Sequence, residues 1–488
     1  MRILTYCDVG VGDIAQRLGT PEYSYYFVLE AFHDALAQFA DVQRIDNPEI
    51  VADAIWENCR ALSEDCLLLS FTPPHKTPLG LRCPTIVVFA WEYPDLPQGW
   101  EEACWKSDPR HDWRMVLNRT GTAITLSMHT VKAVKHALGQ TYPIVSIPTP
   151  VWEKFDAQRR SGLLNPQRRS VDIHMTVAMV DSHVLGLSAE GLVNAVGDDG
   201  TPSTTETDVM LPMLAVSETD RWSPVVTAPR DEDEPPMDDQ HHAPPQASDV
   251  WDIPPRGDIR TRLSGVVYTA VLTPADGRKN WEDLITAFGW AFRDVADATL
   301  VLKLGGPNLL REHHQMLMLL TKLSPMQCRI VALHGYLDDG DYAQLIGATT
   351  YYVNASLCEG LCMPLMEFLC CGVPALAPNH TSMADYIEPD FAFVIDSVAG
   401  QPALWPHGEH EVYRTTRHRI DWNSLMQAYR QSYLVAKNQP GTYAAMSASA
   451  LQQMQNYCSA DTVAQSLRNF LQPLAARSRA PSAADLIY

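Results

Sequence analysis

Ser356-Leu357-Cys358-Glu359-Gly360-Leu361-Cys362-Met363-Pro364-Leu365-Met366-Glu367 carries two glutamates eight residues apart. The apolar run ahead of it, Thr350 to Val353, reads as a buried strand. The stretch behind it, Phe368-Leu369-Cys370-Cys371-Gly372-Val373-Pro374-Ala375-Leu376-Ala377, reads as a helix ending on Gly372 and then a new strand. Pro364 suits the first helical turn, where its missing N–H costs nothing. Glu359 therefore falls in a strand-to-helix loop and Glu367 in the first turn or so of the helix. Amides between them point outward at the positive end of a helix, which favours an anion. A carboxylate on each side accepts hydrogen bonds from hydroxyls. The arrangement suits a ligand with a phosphate centre flanked by polyols, such as a nucleotide-sugar.

By spacing alone such a pair is commonplace, and two exposed carboxylates could simply stabilise a helix dipole. Embedded in strand, Glu-Gly, Pro, helix, Cys-Gly-Val-Pro, strand, the pair resembles the Glu-x7-Glu signature of retaining glycosyltransferases of GT-B fold, the family 4 type. The resemblance covers the C-terminal half well and the N-terminal half loosely. It implies an α/β protein of two doubly wound, Rossmann-like domains facing a central cleft. It also implies a retaining, metal-independent transfer of a hexose from a nucleotide-diphosphate sugar to a hydroxyl of a glycan or lipid-linked glycan. No cofactor and no metal are then expected. The alternative is a protein that keeps the fold and binds the nucleotide-sugar without turning it over. By the same resemblance Glu367 binds the ribose hydroxyls, Glu359 faces the donor sugar, and the amides of Gly360 and Leu361 meet the diphosphate.

A second motif, Thr273-Pro274-Ala275-Asp276-Gly277-Arg278-Lys279-Asn280-Trp281, sits between a strand and a helix and offers two adjacent cations. A departing diphosphate gains negative charge, which an arginine fork and a lysine point charge both stabilise. Lys279 stands at the distance from the helix that the family pattern gives its lysine. The family arginine usually comes earlier, where this chain has Leu272 and Thr273, so Arg278 either replaces it or points elsewhere. Asn379 to Tyr386 follows the next strand. There Thr381 either lines the cleft or caps a helix. In the N-terminal half, Gly10 and Gly12 follow the first strand and either admit a phosphate or form a simple turn. His129 ends a strand where relatives present a turn to the cleft, and is a candidate for sugar or acceptor contact or else an ordinary histidine. Glu92, after another strand, either orients an acceptor hydroxyl or faces solvent.

The remaining sequence sets boundaries. With 488 residues the chain suggests two or three domains. No apolar run approaches bilayer length, and the N-terminus goes straight into a strand pattern, so a cytoplasmic protein is expected. Peripheral contact with a membrane is compatible with a lipid-linked acceptor. A formal charge of −21 argues against nucleic acid as a partner. The 11 cysteines lie mostly in apolar contexts, as buried thiols would; Cys358 and Cys362 lack the second pair a zinc site needs. Residues 1–158 read as an acceptor-side domain. Residues 159–258 read as an insertion and acidic, Pro-rich linker, with a strand over Val171 to Val180. Residues 259–455 read as the nucleotide-sugar domain, 461–475 as a helix returning to the first domain, and 477–488 as a tail. Asp231-Glu232-Asp233 imitates a metal-binding Asp-x-Asp, but its proline-rich flanks mark a solvated acidic run, as they do for His241 and His242.

Overall fold

The computed structural model describes residues 1–9, 23–98, 108–161, 170–186, 252–306, 309–404 and 413–478. Gly10, Gly12, the acidic run 231–239 and His241–His242 lie outside them. So does the expected tail beyond residue 478.

The N-terminal half alternates strands and helices: β1 (Arg2–Tyr6), α1 (Tyr23–Ala37), β2 (Asp41–Arg44), α2 (Pro48–Ala61), β3 (Cys66–Phe71), β4 (Thr85–Phe89), α3 (Trp113–Thr120), β5 (Ala123–Thr125), α4 (Met128–Leu138), β6 (Ile144–Ser146) and the short α5 (Asp156–Ser161). The strands form one parallel sheet of order β2-β1-β3-β4-β5-β6. Central strands are apolar on both sides because helices cover both sides. Ile3, Leu67 and Leu69 share a core with Phe32 and Leu36 of α1. The alternate residues Leu4 and Leu68 instead meet Ala52 and Cys59 of α2. Helix starts are set by their caps: the Ser127 side chain accepts from the Thr130 amide and opens α4.

The C-terminal half holds β9 (Val266–Leu272), α6 (Trp281–Ala291), β10 (Ala298–Leu304), α7 (Leu310–Leu323), β11 (Arg329–His334), α8 (Asp339–Ala348), β12 (Tyr351–Val353), α9 (Met363–Cys370), β13 (Ala375–Pro378) and β14 (Ala392–Ile395). Their parallel order, β14-β13-β12-β9-β10-β11, runs outward from β9 in both directions. The chain goes one way through β10 and β11, then returns past β9 to continue with β12. That reversal is a topological switch point, and it lies between β9 and β12. Leu300, Leu302 and Leu304 of β10 pack towards α6 and α7, while Val301 packs with Leu333 and with Leu345 of α8 on the other face.

Two antiparallel strands extend this sheet: β7 (Ser170–Asp181) pairs with β11, and β8 (Gly257–Ser264) pairs with β7. The strand expected over Val171–Val180 is therefore present, as a sheet edge. Ile173, Met175 and Val177 alternate into the core beside α8. Arg329 fixes the edge by forking onto Asp181, with Nη2–Oδ2 at 2.6 Å. A hairpin, β15 (Ser397–Leu404) and β16 (Tyr413–Ile420), stands apart from both sheets. Three helices close the chain: α10 (Trp422–Asn438), α11 (Pro440–Cys458) and α12 (Ala460–Ser478). Leu467 and Leu471 of α12 join the core that α1 covers, and Gln38 donates to Asp461 at 3.1 Å.

The two halves meet along the carboxyl ends of their strands. Met128 N donates to Asp385 at 2.7 Å, and Thr415 of the hairpin donates to Asp95 at 3.1 Å. No helix of the described residues is long and apolar enough to cross a membrane.

Candidate donor site at the junction of the halves

The two loops that leave the switch point carry the residues singled out by sequence. After β9, a short 3-10 turn (Gly277–Lys279) opens with Asp276 accepting from the Arg278 amide. After β12, the chain runs through Asn354 to Cys362 before α9 begins. A backbone hydrogen bond from Leu357 N to Arg278 O at 2.8 Å ties the loops together.

Between them lies a compact ionic cluster. Glu359 Oε1 accepts from Lys279 Nζ at 2.6 Å and from Ser356 Oγ at 2.7 Å. Glu359 Oε2 accepts from Arg278 Nη1 at 2.6 Å. Arg278 also pairs through Nε with Asp276 at 2.9 Å and with Glu92 of the other half at 3.3 Å. Glu359 is 2% exposed, so its charge persists only because both cations are in contact. Burial pushes its carboxyl up, but the Arg278 and Lys279 charges outweigh this and hold it well below the usual carboxylate range. Glu92 goes the other way. Burial raises it, Arg278 offsets part of that, and the acids Asp276 and Glu359 add to the rise. Two carboxyls on one arginine are thereby driven apart in proton affinity.

Gly360 sits against the other half. A Cβ there would stand 3.2 Å from the Ala90 Cβ and 3.2 Å from the Trp91 amide, so a larger residue fits only if its neighbours give by a few tenths of an ångström. Among the described residues, neither the Gly360 nor the Leu361 amide has a hydrogen-bond acceptor. Unmet amides next to paired cations are the natural complement of an anion. Cys362 caps α9 in a left-handed conformation at φ 62°, which turns the chain sharply from this loop into the helix. Thr381, at φ 50°, is the first residue of its turn, and His380 takes the cap position instead. The Thr381 hydroxyl accepts from the Glu359 amide at 3.0 Å, so it supports the loop from behind.

Glu367 is the fifth residue of α9, just past its first turn, and is 6% exposed. Its Oε1 accepts from Lys154 Nζ at 2.7 Å, a residue of the segment that follows β6 in the other half. Its Oε2 accepts from the Tyr342 hydroxyl of α8 at 2.8 Å. Burial would lower the Lys154 ammonium, but Glu367 reverses the sign and raises it.

His129 Nε2 lies 3.1 Å from the Glu92 carbonyl oxygen. Burial lowers its imidazole. Across the junction His380 and His418 stack with centroids 4.0 Å apart, and burial together with His418 pushes His380 down to about 3. Neutral imidazoles therefore line the edge of the site at ordinary pH.

Of the expected residues, Arg278, Lys279, Glu359, Gly360 and Leu361 come together, with Thr381 behind them. Glu367 stands at the far end of the same loop and helix. The cysteines pack as expected: Cys358, Cys362, Cys370 and Cys371 are buried free thiols. Sequence reasoning missed Lys154, Tyr342 and Lys303. Only Lys303 left a signal, as the one charged residue inside the strand run Ala298–Leu304.

No protein-family model matches the chain, and no curated protein matches it. Solved structures that resemble it include Anabaena HepE in complex with UDP-glucose, at 11% identity and TM-score 0.48, covering 97% of this chain and all of that one. Sucrose-phosphate synthase from Thermosynechococcus elongatus gives 10% identity and TM-score 0.49, covering 98% of this chain and all of that one. WaaG, a glycosyltransferase involved in lipopolysaccharide biosynthesis, gives 8% identity and TM-score 0.46, covering 97% of this chain and all of that one. Likeness at this level assigns no activity.

Proposed function

We propose that this protein is a GT-B glycosyltransferase that moves a hexose from a nucleotide-diphosphate sugar to a hydroxyl of a glycan or lipid-linked glycan, with retention and without a metal. The observation that carries the reading is the Arg278–Lys279–Glu359 cluster at the switch point, beside the unmet amides of Gly360 and Leu361. On this reading residues 1–158 form the acceptor half and 259–455 the donor half. Within the proposed 159–258 insertion, β7 (Ser170–Asp181) pairs onto the sheet of the donor half. The acceptor is met in the cytoplasm or at the inner face of a membrane.

The chemistry follows from the charges. The bond from the anomeric carbon to the diphosphate oxygen breaks, and its electron pair goes to the phosphate. Lys279 and Arg278 share their charge between Glu359 and that oxygen, so leaving-group charge is met without a metal. Glu359 accepts from hydroxyls of the donor sugar. The acceptor hydroxyl attacks from the face the phosphate leaves, and its proton passes to the departing phosphate oxygen. His129 lines the sugar side as a neutral imidazole. Contact between the halves at Gly360 and Ala90 excludes water and limits hydrolysis.

The test is a thermal-shift screen of nucleoside diphosphates followed by a donor-turnover assay, since a ligand bound only by the folded state raises the melting temperature. A rise with one base, and nucleotide release from its sugar conjugate when acceptor is added, is the expected result. No shift with any nucleotide defeats the proposal. A second reading, binding without turnover, draws on both cations being already engaged by Glu359. Tight donor binding with no release across an acceptor panel would favour it.

A further inference from the structure

Glu92 stands on the loop that follows β4, at the carboxyl edge of the first sheet. Three contacts fix the course of that loop. His129 Nε2 lies 3.1 Å from the Glu92 carbonyl oxygen, the Thr130 hydroxyl donates to the Trp91 carbonyl at 2.9 Å, and Trp91 Nε1 donates to the Asp95 carbonyl at 2.8 Å. With its backbone held on both sides, Glu92 presents its carboxylate to Arg278 of the other half.

The ionic cluster there has more acids than cations: Asp276, Glu92 and Glu359 share Arg278 and Lys279. The acids are not held equally. Glu359 takes both cations at 2.6 Å, and its side chain is 3% exposed. Asp276 meets Arg278 Nε at 2.9 Å and also accepts the Arg278 amide, so its departure would undo the turn. Glu92 meets the same Nε at 3.3 Å, comes from the other half, and is 21% exposed at its side chain. A diphosphate adds negative charge beside this arginine. Repulsion then falls first on the acid with the longest contact and no second tie to the turn, which is Glu92. A carboxylate parted from its cation inside such a junction is unfavourable until another donor reaches it. A neutral hydroxyl supplies that donor without adding charge.

We infer that Glu92 is the carboxylate that binds and aims the acceptor hydroxyl, and that Arg278 releases it for this task when the donor's diphosphate takes the arginine. The inference rests on the donor-site reading above and adds a catalytic residue to it. Glu92 only accepts the hydrogen bond of the attacking hydroxyl; the proton still passes to the departing phosphate oxygen. The exchange sets an order, because the acceptor finds its carboxylate only after the donor has arrived. It also makes Glu92 a competitor of the donor, so that losing its charge helps one substrate and harms the other.

The experiment compares wild type with Glu92→Gln, which keeps the shape and removes the charge. Titration calorimetry gives dissociation constants for uridine, guanosine and adenosine diphosphates. Nucleotide release is then followed from the glucose, galactose and mannose conjugates of the tightest base, with methyl glycosides as acceptor probes and with water alone. The variant is expected to bind the diphosphate several-fold more tightly and to release nucleotide about 10–100-fold more slowly, the scale of one hydrogen bond to a charged group. Glu92→Asp, which keeps a carboxylate on a shorter arm, should bind the diphosphate no more weakly than wild type and recover part of the rate; it serves if the glutamine variant does not fold. Weaker diphosphate binding in Glu92→Gln would make Glu92 a prop for Arg278 and overturn the inference. So would an unchanged rate of release, or a wild type that binds a diphosphate and turns over none of its conjugates. A wild type that binds no nucleoside diphosphate brings down the donor-site reading itself, and this inference with it.

Discussion

The two glutamates of one motif are held in opposite ways. Glu359 is gripped within its own half, by Arg278, Lys279 and Ser356, on loops that leave adjacent strands. Glu367 is held half by its own side, through Tyr342, and half by Lys154 from across the junction. The first site is complete whenever the C-terminal sheet is folded. The second is complete only when the halves are together. Charge follows the same division: two cations bind one acid at Glu359, whereas Glu367 takes its cation from the other half.

The largest effect is expected at the self-contained end. Lys279→Met should lower turnover about 10²–10³-fold, the usual cost of one oxyanion-stabilising group, with donor affinity changed far less. Steady-state kinetics separate the two, and a variant whose defect lies wholly in KM would contradict the leaving-group role. Glu367→Gln should act through binding instead, weakening the donor by about 10–100-fold, the range of charged hydrogen bonds. Titration calorimetry reads this directly. If both glutamate ends gave the same kinetic signature, the contrast drawn here would be lost.

Gly360→Ala sharpens the role of the junction. A methyl at 3.2 Å from Ala90 and Trp91 requires those neighbours to give by a few tenths of an ångström. A several-fold rise in donor hydrolysis relative to transfer is expected as water enters. Product analysis checks it.

The smallest effects are on stability, and their signs differ between the two acids on Arg278. Glu359 is held below its ordinary value of 4.5 in the folded protein, so the unfolded chain binds the extra proton first as pH falls. Its contribution is fully present above pH 4.5 and is lost below it, and Glu359→Gln should flatten that limb of the melting curve. Glu92 is raised from 4.5, so the folded protein holds its proton longer and its contribution is lost as pH rises above 4.5. Glu92→Gln should remove that slope, and parallel slopes for the two variants would refute the divergence of the pair.

Much of the architecture was legible because parallel sheets write themselves plainly. Runs such as Cys66–Phe71 and Ala298–Leu304 are apolar at nearly every position, as strands covered on both faces must be. Gly372 and Pro364 marked the ends of α9. The β7–β8 edge was half visible: Val171–Val180 reads as a strand, but its partner is dozens of residues later, and pairing across such a distance leaves no local trace. The Arg278–Glu359 and Lys279–Glu359 pairs span about eighty residues and were not foreseen; resemblance had only brought the three residues to the same expected ligand.

By itself the sequence determined the local facts: where strands end, where α9 begins, and that two acids and two cations stand on loops after strands. Those follow from backbone preferences and apolar periodicity, which act over a few residues. The tertiary structure alone decided which of these loops share a switch point, that the Thr381 hydroxyl accepts from the Glu359 amide, and that Lys154 reaches Glu367 from the other half. Coulomb interactions and close packing act through space, and residues far apart in the chain become neighbours only once both sheets have formed.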